Sequence, residues 1–440
     1  MSFTRYPEYK DSGVEWLGQV PAHWEVMRLK ALIAEVDERA EAQDIELLGL
    51  SKTLGIVPRS QLTQGASESD NYEKYKVATA GQLVMNKMQA WNGVFGICPT
   101  LGMVSPDYAV FRFIKTEFDE FLCALFRTDL MAGVFFTRCR GMGTAFLRLN
   151  TSDFLDIKAP LPPIAETLQI AAFLNRETAK IDRLVVEQQR LIALLKEKRQ
   201  AVISHAVTRG LSPDAPIKPS GIEWLGDVPA HWAVCSIRRI VSAIEQGWSP
   251  ECFARPAEGE EWGVLKAGCV NRGTYDQSEN KALPGELDPM PEYEVMTGDV
   301  LMSRASGSPE LVGSTALVTS TRNRLMLSDK IFRFRFDQRI EPRFFVAALN
   351  SRPLRSQIEQ ALSGGNGLAN NLPQSSLLGF FLAVPTNAEQ QEICAYLESE
   401  TAKLDTLTNE AQRAIDLLQE HRTALIAAAV TGQIDIRDLS

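Results

Sequence analysis

The chain has 440 residues, 45% of them hydrophobic and 23% charged, with a formal net charge of −9 and a pI near 5.3. That length exceeds what one hydrophobic core ordinarily serves, and the composition excludes a disordered, collagenous or disulfide-dense chain. The acidic balance argues against a surface that binds nucleic acid everywhere, so such binding would have to come from local clusters of cations.

The first residues, "MSFTRYPEYKDSG", lack the basic-then-apolar pattern of a signal peptide, and the longest apolar run, "LLGFFLAVP", is too short to span a bilayer. The expectation is a cytoplasmic protein without a membrane segment. Seven cysteines without a C-x-x-C pair suit reduced thiols, and no metal site is expected: His23 and His231 occupy equivalent repeat positions, while His205 and His421 have no second ligand at metal spacing.

Residues 12–26, "SGVEWLGQVPAHWEV", return at residues 220–234 as "SGIEWLGDVPAHWAV", with twelve of fifteen letters kept at an offset of 208. Residues 165–208, "AETLQIAAFLNRETAKIDRLVVEQQRLIALLKEKRQAVISHAVT", return at residues 388–431 at an offset of 223. The chain therefore reads motif, variable segment, helix, and the same again, the second variable segment (235–383) being fifteen residues longer than the first (27–160).

Each variable segment shows strand-like runs, "GQLVMNKM" and "AVFRFI" in the first and "GDVLMSRA" and "KIFRFRF" in the second, followed by helical stretches. Aligning these runs matches Gly81 with Gly298, Met85 with Met302, Lys87 with Arg304, Ser105 with Ser328 and Gly141 with Gly364. Both segments are thus expected to be diverged copies of one α/β domain.

Both long helical stretches carry heptads, with Leu174, Ile181, Gln188, Leu195 and Val202 in the first and Leu397, Leu404, Ala411, Leu418 and Leu425 in the second. Leu184, Leu191 and Lys198, three residues after each heptad position, are the expected second row of the seam. Thr386 and Glu389 form a capping box, Pro162 and Pro163 precede the first helix, and Gly210 and Gly432 follow the ends. A helix of about 44 residues with one apolar stripe needs a partner, and the matching stripe is its own duplicate. Connectivity makes that pair antiparallel, with the terminal "VTGQIDIRDLS" returning to "YPEYKDSG". Trp16, Trp24, Trp224 and Trp232 are expected to pack where a helix end meets a variable domain.

The fold class that follows is mixed α/β: two α/β domains separated by a long antiparallel two-helix coiled coil with an internal pseudo-twofold repeat. Its expected divisions are 1–160, 161–210, 211–383 and 384–440.

Residues 130–152 hold Arg138, Arg140 and Arg148 without an acid, and residues 322–343 hold Arg322, Arg324, Lys330, Arg333, Arg335, Arg339 and Arg343 against three acids. Loops "NKMQAWNG", with Lys87, Gln89 and Asn92, "SRASGSPE", with Arg304 and Ser306, and "GGNGLANN", with Asn366 and Asn370, combine cations and amides with glycine. Such side chains read base edges or hold phosphates, so these twelve residues (Arg322 and Arg324 included) are the candidate DNA contacts. No phosphate-binding loop, dinucleotide fingerprint, nucleophile elbow, H-E-x-x-H motif or N-P-P-[YF] tetrapeptide occurs, which points away from a catalytic chain and from a bound cofactor.

The motifs "SGVEWLGQVPAHWEV", "LPPIAETLQIAAFL" and "ETAKID", with their second copies, resemble the specificity subunits of Type I restriction-modification systems over essentially the whole chain. The resemblance implies two target recognition domains, each reading one half of a split sequence in double-stranded DNA, with the two helices as a ruler. It also implies two adenine-methylating modification subunits and restriction subunits as partners. A coiled-coil adaptor joining two protein-binding modules is the alternative that the acidic pI allows.

Overall fold

The computed structural model describes residues 4–39, 45–62, 74–141, 147–362 and 370–437. It divides into two compact units, Met1–Gln189 with Gln412–Ser440, and Arg190–Ala411. Gly364 and Asn366 lie outside the described residues.

In unit 1 the strands Ile33–Val36, Tyr108–Phe113, Leu83–Asn86 and Phe95–Ile97 lie in that order in an antiparallel sheet. In unit 2 Val241–Gln246, Ile331–Phe336, Val300–Ser303 and Thr315–Leu317 repeat the order. Both sheets are buried on both faces because their apolar residues alternate between two cores. Leu83, Met85 and Phe111 point into one cluster of unit 1 and Val84 and Val110 into another. Val300, Met302 and Phe332 point into one cluster of unit 2 and Leu301 and Ile331 into another. The units differ beside the sheet, where unit 1 has the hairpin of Leu48–Ser51 with Gly55–Pro58 and unit 2 has three strands joined through Gly263–Leu265.

The repeated motif ends in a strand that pairs with the strand leading into the long helix: Glu25–Arg28 with Lys158–Leu161, and Ala233–Ser236 with Phe381–Val384. Its tryptophan and histidine then reach the first helical turn. In unit 1 the Glu166 carboxylate accepts hydrogen bonds from Tyr6 Oη at 2.6 Å and Trp24 Nε1 at 2.9 Å, and His23 Nε2 lies 2.6 Å from its other oxygen. In unit 2 Glu389 accepts from Trp232 Nε1 at 3.3 Å and sits 2.7 Å from His231 Nε2. Glu389 also closes the capping box with Thr386, as the sequence spacing requires. One residue on, the copies diverge: Thr167 bonds the carbonyls of Pro162 and Pro163, whereas the longer Gln390 reaches Arg339 O and Glu341 N.

Gly210 and Gly432 end the helices with φ near 73° and 72°, the left-handed region that favours glycine. A Cβ at Gly210 would meet the Trp232 ring at 3.1 Å, and one at Gly432 would run into Pro21 and Trp24. The returning tail is tied down by Asp435 N donating to Thr4 O at 2.8 Å and Tyr9 Oη donating to Gly432 O at 3.0 Å. The expected meeting of tail and N-terminal segment is therefore present.

The long helices are Ile164–Arg209 and Asn387–Val430, and each passes through both units. They run antiparallel. In unit 1 Arg422 bonds Asp182 at 3.1 Å, and in unit 2 Arg199 bonds Asp405 at 3.2 Å. These are the same ion pair with the helices exchanged, since 182 and 405, like 199 and 422, are 223 residues apart.

One expectation about the seam is corrected. The heptad residues Leu174, Ile181, Leu195, Leu397, Leu404, Ala411 and Leu425 are buried, but Leu184 and Leu191 are 50% and 42% exposed. The second row instead falls four residues after each heptad position, at half-buried Val185, Ile192 and Arg199 and at buried Ala206, matched by Thr408, Ile415, Arg422 and Ala429. At 100° per residue a shift of one position moves a side chain from the seam to the flank.

Candidate nucleic-acid interface

In unit 1 the buried strand Leu83–Asn86 runs straight into the loop that carries Lys87, Gln89 and Asn92. Asn86 Oδ1 accepts from Met88 N at 3.1 Å, the Trp91 indole N–H donates to Met88 O at 2.8 Å, and Gly93 closes the turn at φ 74°. Leu149 N donates to Lys87 O at 2.9 Å, which brings Arg148 to the loop, 3.9 Å from Met88 Sδ and 2.7 Å from Asp107. Arg140 and Arg148 exchange backbone hydrogen bonds, and Arg140 pairs with Asp153 at 3.0 Å.

Lys87 is half-buried. Burial first, and the neighbouring Lys76 ammonium second, pull its own ammonium below the ordinary lysine value. Among the described residues its Nζ has no hydrogen-bond or ion-pair partner, and neither has the exposed Arg138 guanidinium. A charged donor at a loop root without an internal acceptor is chemically suited to an external one.

In unit 2 the strand Val300–Ser303 leads into Arg304 in the same way. Leu372 N donates to Arg304 O at 2.9 Å, repeating the Leu149 to Lys87 bond, so the alignment of Lys87 with Arg304 holds in three dimensions. Arg304 Nη1 donates to Asp329 O at 3.2 Å and its guanidinium lies 5.8 Å from the Phe332 ring centre. Ala305 and Ser306 pair antiparallel with Asn371 and Asn370, and Asn370 Nδ2 reaches Gly307 O at 3.4 Å. Arg304, Ser306 and Asn370 thus come together.

Arg322 and Arg324 do not join them. Arg322 donates to the carbonyls of Ala257, Gly259 and Glu261 at 2.6–2.7 Å, and Arg324 pairs with Glu260 at 2.9 Å. Their guanidinium groups hold the 257–261 loop. Of the rest of that basic run, Arg333 turns inward, 3% exposed between Glu245 and Asp299; Arg335 pairs with the same two acids but is exposed, as are Lys330, Arg339 and Arg343. Within residues 322–343, Arg322, Arg324, Arg333 and Arg335 thus all have internal partners, and Arg333 is buried as well. Acids distant in sequence supply the partners, which a count within the run cannot see.

Sequence reasoning missed Lys52, at the tip of a hairpin, whose Nζ donates to Asn92 Oδ1 at 3.2 Å. The "SKTLG" turn between two apolar runs marks the hairpin, but nothing in it marks the contact with the 86–93 loop.

An internally duplicated protein with one α/β unit per half, each carrying an equivalent loop with a cation at its root, is the class that this fold defines. No protein-family model matches the chain. The Type I restriction enzyme EcoEI specificity subunit of Escherichia coli is 33% identical over 240 residues, which are 54% of this chain and 40% of that one. The EcoKI specificity subunit of Escherichia coli strain K12 is 24% identical over 340 residues, 76% of this chain and 68% of its own. The MjaVIII specificity subunit of Methanocaldococcus jannaschii is 23% identical over 444 residues, 96% and 95% of the two chains. Two solved structures share the fold at 16% identity. One, from work on complex assembly and conformational transition of the type I R-M system, has a TM-score of 0.68 over 93% of this chain and 98% of its own. The other, the HsdS subunit from Thermoanaerobacter tengcongensis, has a TM-score of 0.51 over 94% and 98%. The chain is thus similar in sequence to several specificity subunits of Type I restriction enzymes, and it spans about two fifths of the EcoEI subunit's length.

Proposed function

We infer that the chain is the DNA-reading subunit of a Type I restriction-modification complex, each unit reading one half of a split target. The observation that carries this is the duplicated loop root, in which Lys87 and Arg304 leave equivalent strands and are tied by equivalent backbone bonds to Leu149 and Leu372. Lys87, Gln89, Asn92, Arg138, Arg140 and Arg148 contact the first half-site, and Arg304, Ser306 and Asn370 the second. Two modification subunits that methylate adenine, and restriction subunits, assemble on the chain in the cytoplasm. The polypeptide itself positions DNA and does no chemistry; none of its described helices is long and apolar enough to cross a membrane.

The test is a map of methylated adenines in the host genome with and without this gene, alongside duplex binding by the chain over a salt series. A split methylated sequence that vanishes with the gene, and affinity that falls steeply with salt, is the expected result. Methyl transfer by the purified chain alone overturns the non-catalytic part. Salt-insensitive or absent duplex binding favours the adaptor of protein modules instead.

A further inference from the structure

The helix Asp129–Arg138 buries Met131, Val134 and Phe135, yet its Phe136 is 52% exposed. That ring meets Trp91 edge-on, with centroids 6.3 Å apart at 71°. Trp91 is fixed by its bond to Met88 O, and its neighbour Asn92 is held by Lys52. Gly133, one turn before Phe136, has open space where a Cβ would stand. A lone exposed phenylalanine is ordinary; one braced by an anchored indole on the loop of Lys87 and Gln89, in a helix ending at Arg138, is not.

We propose that Phe136, braced by Trp91, is an aromatic wedge that inserts at a base step of the half-site read by unit 1. The proposal rests on the DNA-reading assignment above. Apolar side chains between base steps unstack them and bend the duplex, so the wedge reads the deformability of a step and not only its edges. The cations and amides around the rings suit a polyanionic duplex better than an apolar protein face. Among its described residues, unit 2 has no such wedge on the equivalent helix. Its helix Arg352–Ala361, 223 residues on, carries Glu359 at the matching position, and Glu359 pairs with Arg355, which donates to the Pro309 and Glu310 carbonyls.

The experiment uses the full-length chain and duplexes carrying 2-aminopurine at successive positions of the half-site, taken from the methylation map. The wild type is expected to raise the probe's fluorescence at one step. Phe136→Ala removes that rise and weakens binding about 5- to 150-fold, the range of one lost base stack, without changing the salt slope. Phe136→Trp keeps both. A wild-type complex with no fluorescence rise, or a Phe136→Ala chain with wild-type affinity and fluorescence, overturns the wedge; a loss confined to subunit assembly does so too and makes the rings a protein contact. If the wild type binds no duplex at all, the DNA-reading assignment has failed first, a result distinct from these.

Discussion

Two glutamates 223 residues apart do the same work with different margins. Glu166 is buried and takes three donors, so Glu166→Ala strands the Trp24 N–H inside the core and should lower stability by about 3 kcal/mol or more. Burial alone would raise the Glu389 carboxyl, but hydrogen bonds from His231, Thr386 and Trp232 outweigh it and hold the group at about 2. A depressed carboxylate adds stability that is complete above its unfolded value near 4.5 and is lost as pH falls toward 2. Glu389→Gln should therefore cost about 1–3 kcal/mol at neutral pH and flatten the acid limb. Denaturation followed by tryptophan fluorescence between pH 7 and about 2.5 checks this, and an unchanged acid limb in the variant would show the clasp to be idle. At Lys87 the sign is opposite. The free ammonium is depressed, an acceptor on DNA would restore it, and binding should weaken as pH rises toward 10.5, earlier than for an ordinary lysine. Lys87→Arg, which stays charged, should remove that decline; the same decline in both proteins would show that Lys87 does not face DNA. The sequence marked Lys87 through its loop and its copy, while the inward turn of Arg322 and Arg333 was invisible because their acceptors are backbone carbonyls and acids 34 to 88 residues away.

The helices show what periodicity can and cannot locate. Heptads at Leu174 and Leu397 identify one row of the seam, but the choice between a second row at three or four residues depends on the partner's face, and Leu184 and Leu191 made the wrong row look apolar. Leu404→Ala should cost about 2–4 kcal/mol, because its seam position is buried. Leu407→Ala, three residues later and 47% exposed, should change stability by no more than about 0.5 kcal/mol. Thermal unfolding of the two variants decides the register: equal losses would put both leucines in the seam. The Asp182 to Arg422 and Arg199 to Asp405 pairs join a half-buried arginine of the second seam row to an exposed aspartate on the flank, so each is worth about 0.2–1 kcal/mol and contributes direction more than strength. The strand runs were legible for a simpler reason. "QLVMN" and "VLMS" are apolar on both faces, as strands between two cores must be, whereas the hairpin and the extra sheet beside them have no common pattern to align.

Over the whole chain the duplication makes each variable segment separable. Its entry and exit are neighbours, since Glu25–Arg28 pairs with Lys158–Leu161 and Ala233–Ser236 with Phe381–Val384, so everything between is an insertion on a closed two-strand base. Each insertion has its own aromatic core: Phe95, Phe111, Phe126 and Phe154 in unit 1, Phe332, Phe334, Phe344 and Phe345 in unit 2. The glutamate clasp and the glycine helix end stand outside the insertion in both copies, which is why the frame tolerates a second segment fifteen residues longer. Replacing residues 27–160 by the matching segment of a relative should leave the seam, the clasps and unit 2 intact. Specificity energies at separated positions add, so the chimera's methylation map should show one half of the split sequence replaced and the other unchanged. A map altered in both halves, or one that loses the untouched half while the complex still assembles, would show that the two units do not read DNA separately.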